Sequence, residues 1–173
     1  MSFLGKVKKK LRNGSWYPFY NTFYEKNNLD PHMILLESRS GKALESNILS
    51  LLKELCQEPY RSFTLVLSVH RDSENEIKEK LQKNSIQGVR FVRTGSVAYY
   101  HALSRAGYLV NDTSFPGRFI KKEGQIYLNT WHGTPLKKMG RDNRPEMVTM
   151  GNVQRNLLDS DLSLIHISEP TRH

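Results

Sequence analysis

The sequence predicts an α/β domain built on a doubly wound parallel sheet, and two observations carry that reading. Short unbroken apolar runs recur at Met33 to Leu36, Phe63 to Val69, Val89 to Val92, Tyr108 to Val110 and Ile126 to Leu128. Strands buried on both faces show such runs instead of strict alternation. Between them lie stretches of helical periodicity, and strand–helix alternation of this kind implies right-handed crossovers. The class is therefore Rossmann-like, with ligands expected beyond the carboxyl ends of the strands.

The intervening helices have their own signals. Ile48, Leu51, Leu52, Leu55 and Cys56 fall on one face of a helix that Ser46 can cap. Ser73 and Glu76 have the spacing of a capping box in front of Ile77 to Leu81. Tyr99, Ala102, Leu103 and Ala106 form one face of a third helix. Cys56 is the single cysteine of the 173-residue chain, which excludes an internal disulfide, and its apolar setting marks it as a small core residue. The six histidines show no paired spacing and no cysteine cluster joins them, so neither a metal nor another cofactor is expected.

Residues 1–28 differ from the rest. Phe3, Leu4, Val7 and Leu11 recur at helical spacing against Lys6, Lys8, Lys9, Lys10 and Arg12, and Trp16, Tyr17, Phe19, Tyr20, Phe23 and Tyr24 follow. A basic amphipathic helix with an aromatic cluster suits an in-plane membrane anchor, with Lys6, Lys8, Lys9, Lys10 and Trp16 as the contacts. A helix packed on the domain with solvated lysines is the alternative. The membrane reading predicts aromatic side chains that are exposed or loosely attached. No apolar run approaches the ~20 residues that span a bilayer, and no secretory leader follows Met1, so a cytoplasmic location is expected. The net charge of +9 calls for an acidic partner. Nucleic acid is not expected, because no zinc finger, RNA-binding sheet signature or recognition helix is present. Anionic lipid and a polyphosphate substrate account for the charge equally well.

The most informative stretch is Asn129-Thr130-Trp131-His132-Gly133-Thr134-Pro135-Leu136-Lys137-Lys138. His132 follows a short strand, Thr134 can cap a helix that Pro135 begins, and Gly140 is placed to end it. Helix amides with Lys137 or Lys138 favour an anion, and an imidazole can move a proton. A neutral surface histidine on a strand–helix loop is the competing reading. Ser40, Gly41 and Lys42 follow the first strand, where phosphate or acceptor contacts gather in open α/β sheets, although Ser-Gly-Lys is also common in ordinary turns.

The segment Thr130-Trp131-His132-Gly133-Thr134-Pro135-Leu136-Lys137-Lys138 resembles the signature of the CDP-glycerol glycerophosphotransferase family of teichoic acid synthesis. Leu36 to Lys42 with Asn47, Ser96 to Tyr100, Ala106 to Asp112, Phe115-Pro116 and Phe119 to Lys121 are similar to it as well. The resemblance implies a two-domain GT-B-type architecture, of which residues 29–162 form the amino-terminal, acceptor-side half. It implies transfer of glycerol phosphate from CDP-glycerol to a lipid-linked polyol-phosphate acceptor at the inner membrane face. His132 would be the catalytic base, and Gly133, Thr134, Lys137, Lys138, Ser40, Gly41 and Lys42 would bind phosphate or substrate. CDP-glycerol would be held mainly by a carboxyl-terminal domain absent from this chain, which alone is expected to be inactive. A ribitol-phosphate transferase or a primase are close variants, and a non-catalytic basic module binding membrane or nucleic acid is the alternative of another class. Residues 163–173 depart from the family pattern and read as a non-native tail.

Overall fold

The computed structural model describes residues 16–116, 119–131 and 158–163. Helix α1 (Trp16–Lys26) leads into β1 (Asp30–Glu37), α2 (Ser46–Leu55), β2 (Thr64–Val69), α3 (Glu74–Lys83), β3 (Arg90–Arg93), α4 (Val97–Arg105), β4 (Ala106–Asn111), β5 (Ile126–Asn129) and β6 (Leu162–Ser163). The strands lie in the order β3-β2-β1-β4-β5-β6, and every pairing is parallel. This is the strand order of a doubly wound dinucleotide-type sheet, with the reversal of winding between β1 and β4. All five apolar runs are strands, the third shifted by one residue.

The reason the runs are unbroken is visible in the packing. Ile34 and Leu36 of β1 point to one face, among Leu44, Ile48, Leu52, Ile77 and Leu81 from the α2 and α3 side. Leu35, between them, points to the other, among Tyr20 of α1, Tyr99, Ala102 and Leu103 of α4, and Phe115, Phe119 and Tyr127. The central strand is therefore covered on both faces from Ile34 to Glu37. Cys56 packs half-buried against the first cluster, and burial pushes its thiol pKa up.

Two expected caps are replaced by other contacts. Helix α2 starts at Ser46, with Glu45 in the capping position and no side-chain cap. The Glu45 carboxylate instead pairs with Arg39 Nε at 3.0 Å. Ser73 precedes α3 but its hydroxyl caps nothing, because the chain enters that helix through a 3-10 turn over Arg71–Ser73. Glu74, not Glu76, is the paired acid of the first turn, reaching Lys78 Nζ at 2.7 Å and Arg93 Nε at 3.4 Å. Ser96 does cap α4, accepting from Tyr99 N at 3.2 Å. Buried Gln125 takes the carbonyls that end α4: its Nε2 donates to Leu103 O and Ala106 O at 3.0 and 2.8 Å. Leaving those carbonyls unpaired in the core would cost more than the bonds contribute.

For Tyr20, Phe23 and Tyr24, helix α1 corrects the expectation of loosely attached aromatics. Tyr20 is 2% exposed, its hydroxyl donates to Ile120 O at 2.7 Å, and its ring meets Tyr24, Tyr100 and Phe119. Phe23 stands edge-on to His101, and the Lys122 ammonium lies over the Tyr24 ring. These rings pack against α4 and the loop before β5, so the helix docks on the sheet's second face. Lys6, Lys8, Lys9 and Lys10 lie outside the described residues, as does the side chain of Trp16. No helix among the described residues is long and apolar enough to cross a membrane.

Docking of α1 has a measurable consequence. Tyr20→Ala should lower unfolding free energy by about 3 kcal/mol in urea titration, as for other buried aromatics, and Tyr20→Phe by about 1 kcal/mol for the lost hydrogen bond. A loss below about 0.5 kcal/mol for Tyr20→Ala would mean that α1 is not part of the core.

Candidate functional site at the carboxyl edge of the sheet

Parallel pairing brings one end of every strand to the same edge, and the residues there are polar although they are buried. Ser68 of β2 is in register with Glu37 of β1, Glu37 with Asn111 of β4, Asn111 with Asn129 of β5, and Asn129 with Ser163 of β6. All five are at most 3% exposed. Register-paired residues share a face, and this row continues the face of Leu35, Leu109 and Tyr127. A buried polar row at the edge where the winding reverses is where an open α/β sheet binds its ligands.

The row is only partly satisfied. Tyr127 OH donates to Asn111 Oδ1 at 2.9 Å, Asn129 Nδ2 donates to Thr113 O at 2.8 Å, and the Ser68 and Thr94 hydroxyls are 2.8 Å apart. Asn111 Nδ2 and Ser163 Oγ find no hydrogen-bond partner among the described residues, and the Tyr99 hydroxyl faces the Glu37 carboxyl without reaching Oε2 at ordinary hydrogen-bond geometry. Burial lifts the Glu37 pKa to about 7, with the charge of Asp112 adding to the rise and the hydroxyls of Tyr99 and Ser68 opposing it. Burial also holds the Tyr99 hydroxyl far above its ordinary range, and that of Tyr127 is pushed up to about 12.

Above this row, the turn after β1 is wound left-handed. Arg39, Ser40 and Gly41 have φ of 50°, 55° and 78° in succession. Two non-glycine residues in that region cost of order 1 kcal/mol each and persist only where contacts enforce them. Asp112 supplies the contacts: its carboxylate accepts from Ser38 Oγ and from Arg39 N, both at 2.7 Å. Gly41 closes the turn against β2. Its carbonyl accepts from His70 N at 2.6 Å, its N–H donates to Ser38 O at 2.8 Å, and a Cβ there would lie 2.2 Å from Thr94 Oγ1. Both backbone groups of Gly41 thus serve the loop. Ser40 Oγ is 3.5 Å from Thr113 Oγ1 across the β1/β4 junction, and Lys42 is exposed.

The strand end that leads to His132 is fixed to the same edge. Thr130 N donates to Asn111 O at 2.8 Å, and its hydroxyl turns to the same carbonyl at 3.3 Å. Trp131, with φ of 51°, donates its N–H to Asn129 Oδ1 at 2.9 Å. Asn47 of α2 donates to Thr130 O and Trp131 O at 3.2 and 3.4 Å. His132, Gly133, Thr134, Lys137 and Lys138 lie outside the described residues. What is described is the route to them: the chain reaches position 131 beside the first turn of α2 and the end of β4.

Glu37, Ser68, Asn111, Asp112 and Asn129 were not singled out as site residues from the sequence, although each follows or interrupts the apolar run of its strand. A polar residue at the carboxyl end of several buried strands in parallel is the signal that would have found them. A separate cleft of about 200 Å³ opens at the opposite edge, lined by Asp30, Arg90, His101 and Arg105, with Arg105 Nη2 and Asp30 Oδ2 3.6 Å apart. No group of three or more metal-ligating side chains comes together among the described residues.

The sheet order and its winding reversal define a Rossmann-type α/β domain. The chain belongs to the CDP-glycerol:poly(glycerophosphate) glycerophosphotransferase family, whose model matches residues 19–171. It is 31% identical over 123 residues to the teichoic acid poly(glycerol phosphate) polymerase of Staphylococcus epidermidis, covering 71% of this chain and 16% of that protein. It is 28% identical over 137 residues to the teichoic acid glycerol-phosphate transferase of Staphylococcus aureus, covering 79% of this chain and 33% of that one. The solved wall teichoic acid polymerase TagF, as a histidine variant soaked with CDPG, superposes with a TM-score of 0.59 at 26% identity, over 82% of this chain and 35% of the other. The chain thus spans a sixth to a third of these relatives' length.

The buried Glu37 makes stability depend on pH with a definite sign. Its pKa is higher folded, about 7, than the 4.5 of an unhindered glutamate, so the folded state binds the proton more tightly. The stabilisation is complete below pH 4.5 and is lost as pH rises through 7, by roughly 3 kcal/mol in total. Glu37→Gln, which mimics the neutral acid, should remove that slope in urea titrations at pH 5, 6.5 and 8. An unchanged slope would place the titrating group elsewhere.

Proposed function

We propose that this chain is the acceptor-side part of a transferase that moves glycerol phosphate from CDP-glycerol onto a lipid-linked polyol-phosphate acceptor. The observation that carries this reading is the family's histidine segment entering at the carboxyl edge, where Asn47, Asn111 and Asn129 fix the two residues before His132. An acceptor hydroxyl attacks the phosphorus that bears the glycerol of CDP-glycerol. A phosphorus–oxygen bond to the acceptor forms, the bond to the cytidylate breaks, and CMP leaves with the bonding pair. His132 takes the hydroxyl proton, as an imidazole can at neutral pH. Phosphoryl transfer otherwise needs position and charge stabilisation. Gly133 and Thr134 with Lys137 or Lys138 supply these on one side, and Ser40 and Lys42 on the β1 turn supply acceptor contacts on the other. Gly41 contributes by allowing that turn to form.

In this reading the nucleotide is held mainly by the remaining length that the relatives possess. The acceptor in this reading lies at an anionic inner membrane surface that Lys6, Lys8, Lys9, Lys10 and Trp16 contact, with the enzyme cytoplasmic and peripheral. The excess of cationic residues supports an anionic surface and an anionic acceptor together. Ribitol phosphate as the transferred group, or a primase reaction on the first acceptor, uses the same geometry.

The test is transfer of radiolabelled glycerol phosphate to acceptor lipid in anionic vesicles, with the chain extended to the length of its relatives. His132→Asn keeps a polar group of similar size but cannot act as a base near neutral pH. Turnover should fall by about 10²–10⁴-fold with donor binding little changed. Near wild-type turnover would remove His132 from the chemistry.

A further inference from the structure

The crossovers through α2 and α3 both pack on the first face of the sheet, among Ile48, Leu52, Ile77 and Leu81. On the second face β2 and β3 are met by α4, and the side chains that α4 sets over them are small. Ala98 and Ala102, one turn apart, line the same space as Val66 and Val92, and the room they leave is the cleft of about 200 Å³ at the amino edge. The strand residues of the cleft share one face by register, Met33 beside Thr64 and Val66 beside Arg90.

The cleft is charged at one end and apolar at the other. Asp30 and Arg90 begin their strands and Arg105 ends α4, so these groups gather at the amino edge. Ala98 lies two turns earlier in α4, about 10 Å along the helix axis, and with Val66 and Val92 it makes the inner end apolar.

Positive charge is in excess at the rim. Arg90 is exposed and pairs with no carboxylate among the described residues. Arg105 Nη2 stands 3.6 Å from Asp30 Oδ2, too far for a hydrogen bond, while Asp30 Oδ1 accepts from His32 N at 3.0 Å. His101, edge-on to Phe23, adds no charge at pH 7, because burial and then Arg105 lower its pKa. Two guanidinium groups against one carboxylate leave one positive charge over. The carbonyl end of α4 opposes it with at most about half a negative charge. Gln125 Nε2 already donates to two carbonyls there, Leu103 O and Ala106 O.

We propose that this cleft binds a small organic monocarboxylate, with its carboxylate between Arg90 and Arg105 and its apolar body on Val66, Val92 and Ala98. A guanidinium fork matches a carboxylate in shape and charge. One negative charge neutralises the rim, whereas a phosphate dianion would leave it negative. Pockets for drug-sized ligands run to about 300–1,000 Å³, so this smaller volume limits the body to one ring or a short branched chain. The site lies at the opposite edge from the β1 turn and the Thr130–Trp131 segment, and it stands independently of the transfer reaction.

Sodium benzoate is the probe, titrated into the isotope-labelled 173-residue chain, with benzamide as the uncharged control and glycerol phosphate as the control without an apolar body. Benzoate should give saturable amide shifts at Arg90, Val92, Ala98, His101 and Arg105, with a dissociation constant of about 1 mM for so small a ligand. Both controls should bind there about ten-fold more weakly, and Arg90→Gln and Arg105→Gln should each weaken benzoate about ten-fold. Ala98→Leu keeps both arginines, adds bulk at an exposed position and fills the inner end, so saturation should disappear. A wild-type chain that shows no saturation below about 20 mM would overturn the proposal. So would unchanged affinity in Ala98→Leu or in both arginine variants, or equal affinity for benzoate and either control.

Discussion

Asp112 accepts two hydrogen bonds of 2.7 Å, one from the Ser38 hydroxyl and one from the Arg39 amide, and the carboxyl edge of the sheet is organised around that grip. It joins the ends of β1 and β4, the two strands between which the winding reverses, so it lies where the crossovers diverge and leave a crevice. It also holds Arg39 and Ser40 in left-handed conformations that neither residue favours. With Asp112 in place, Gly41 can press against the end of β2, and Glu45 is carried to Arg39 at the start of α2. Charge-assisted hydrogen bonds are about twice as strong as neutral ones, which suits a group that must offset local strain. The exposed Arg39–Glu45 pair adds little by comparison.

The rest of the domain can be understood as support for that edge. The two hydrophobic clusters cover β1 on both sides and fix its height relative to β4, so that Glu37, Asn111 and Asn129 come into one row. Helix α1 contributes by burying Tyr20 among Tyr100 and Phe119, behind the aromatic floor on which the row stands. Gln125 closes the end of α4 and thereby sets where β4 begins. Asp161 pins β6 to β5, accepting from Tyr127 N at 2.7 Å while its own N–H donates to Tyr127 O at 2.9 Å. The polar residues of the row add little net stability, and Glu37 and Asn111 retain unsatisfied atoms. Stability is instead spent on holding a chemically useful edge, a common arrangement at functional sites.

Much of this was legible in the sequence because parallel strands buried on both faces leave an apolar signature that needs no knowledge of partners. Met33 to Leu36 and Phe63 to Val69 read as strands for that reason. The caps at Ser46 and Ser73 misled because capping signals are local, whereas the actual starts of α2 and α3 are decided by Arg39 pairing with Glu45 and by a preceding 3-10 turn. The aromatic cluster of α1 was ambiguous because the same rings suit a membrane surface and a protein surface, and only the facing residues Tyr100, His101 and Phe119 decide between them. At the carboxyl edge, the Thr130–Trp131 entry to the histidine segment and the Ser40–Lys42 turn are legible as motifs. Glu37 and Asp112 did not, since a single acid after an apolar run has no spacing signature. Their importance comes from register, which brings together residues 74 positions apart in Ser38 and Asp112.

Ligand mapping decides whether the carboxyl edge around Asp112 is the working face. Amide shifts of the labelled 173-residue chain, titrated with a short glycerol phosphate oligomer, should concentrate at Ser38 to Lys42, at Asp112 and Thr113, and at Thr130 and Trp131. Shifts confined instead to Asp30, Arg90, His101 and Arg105 would place binding at the cleft on the amino edge and rule out the carboxyl edge.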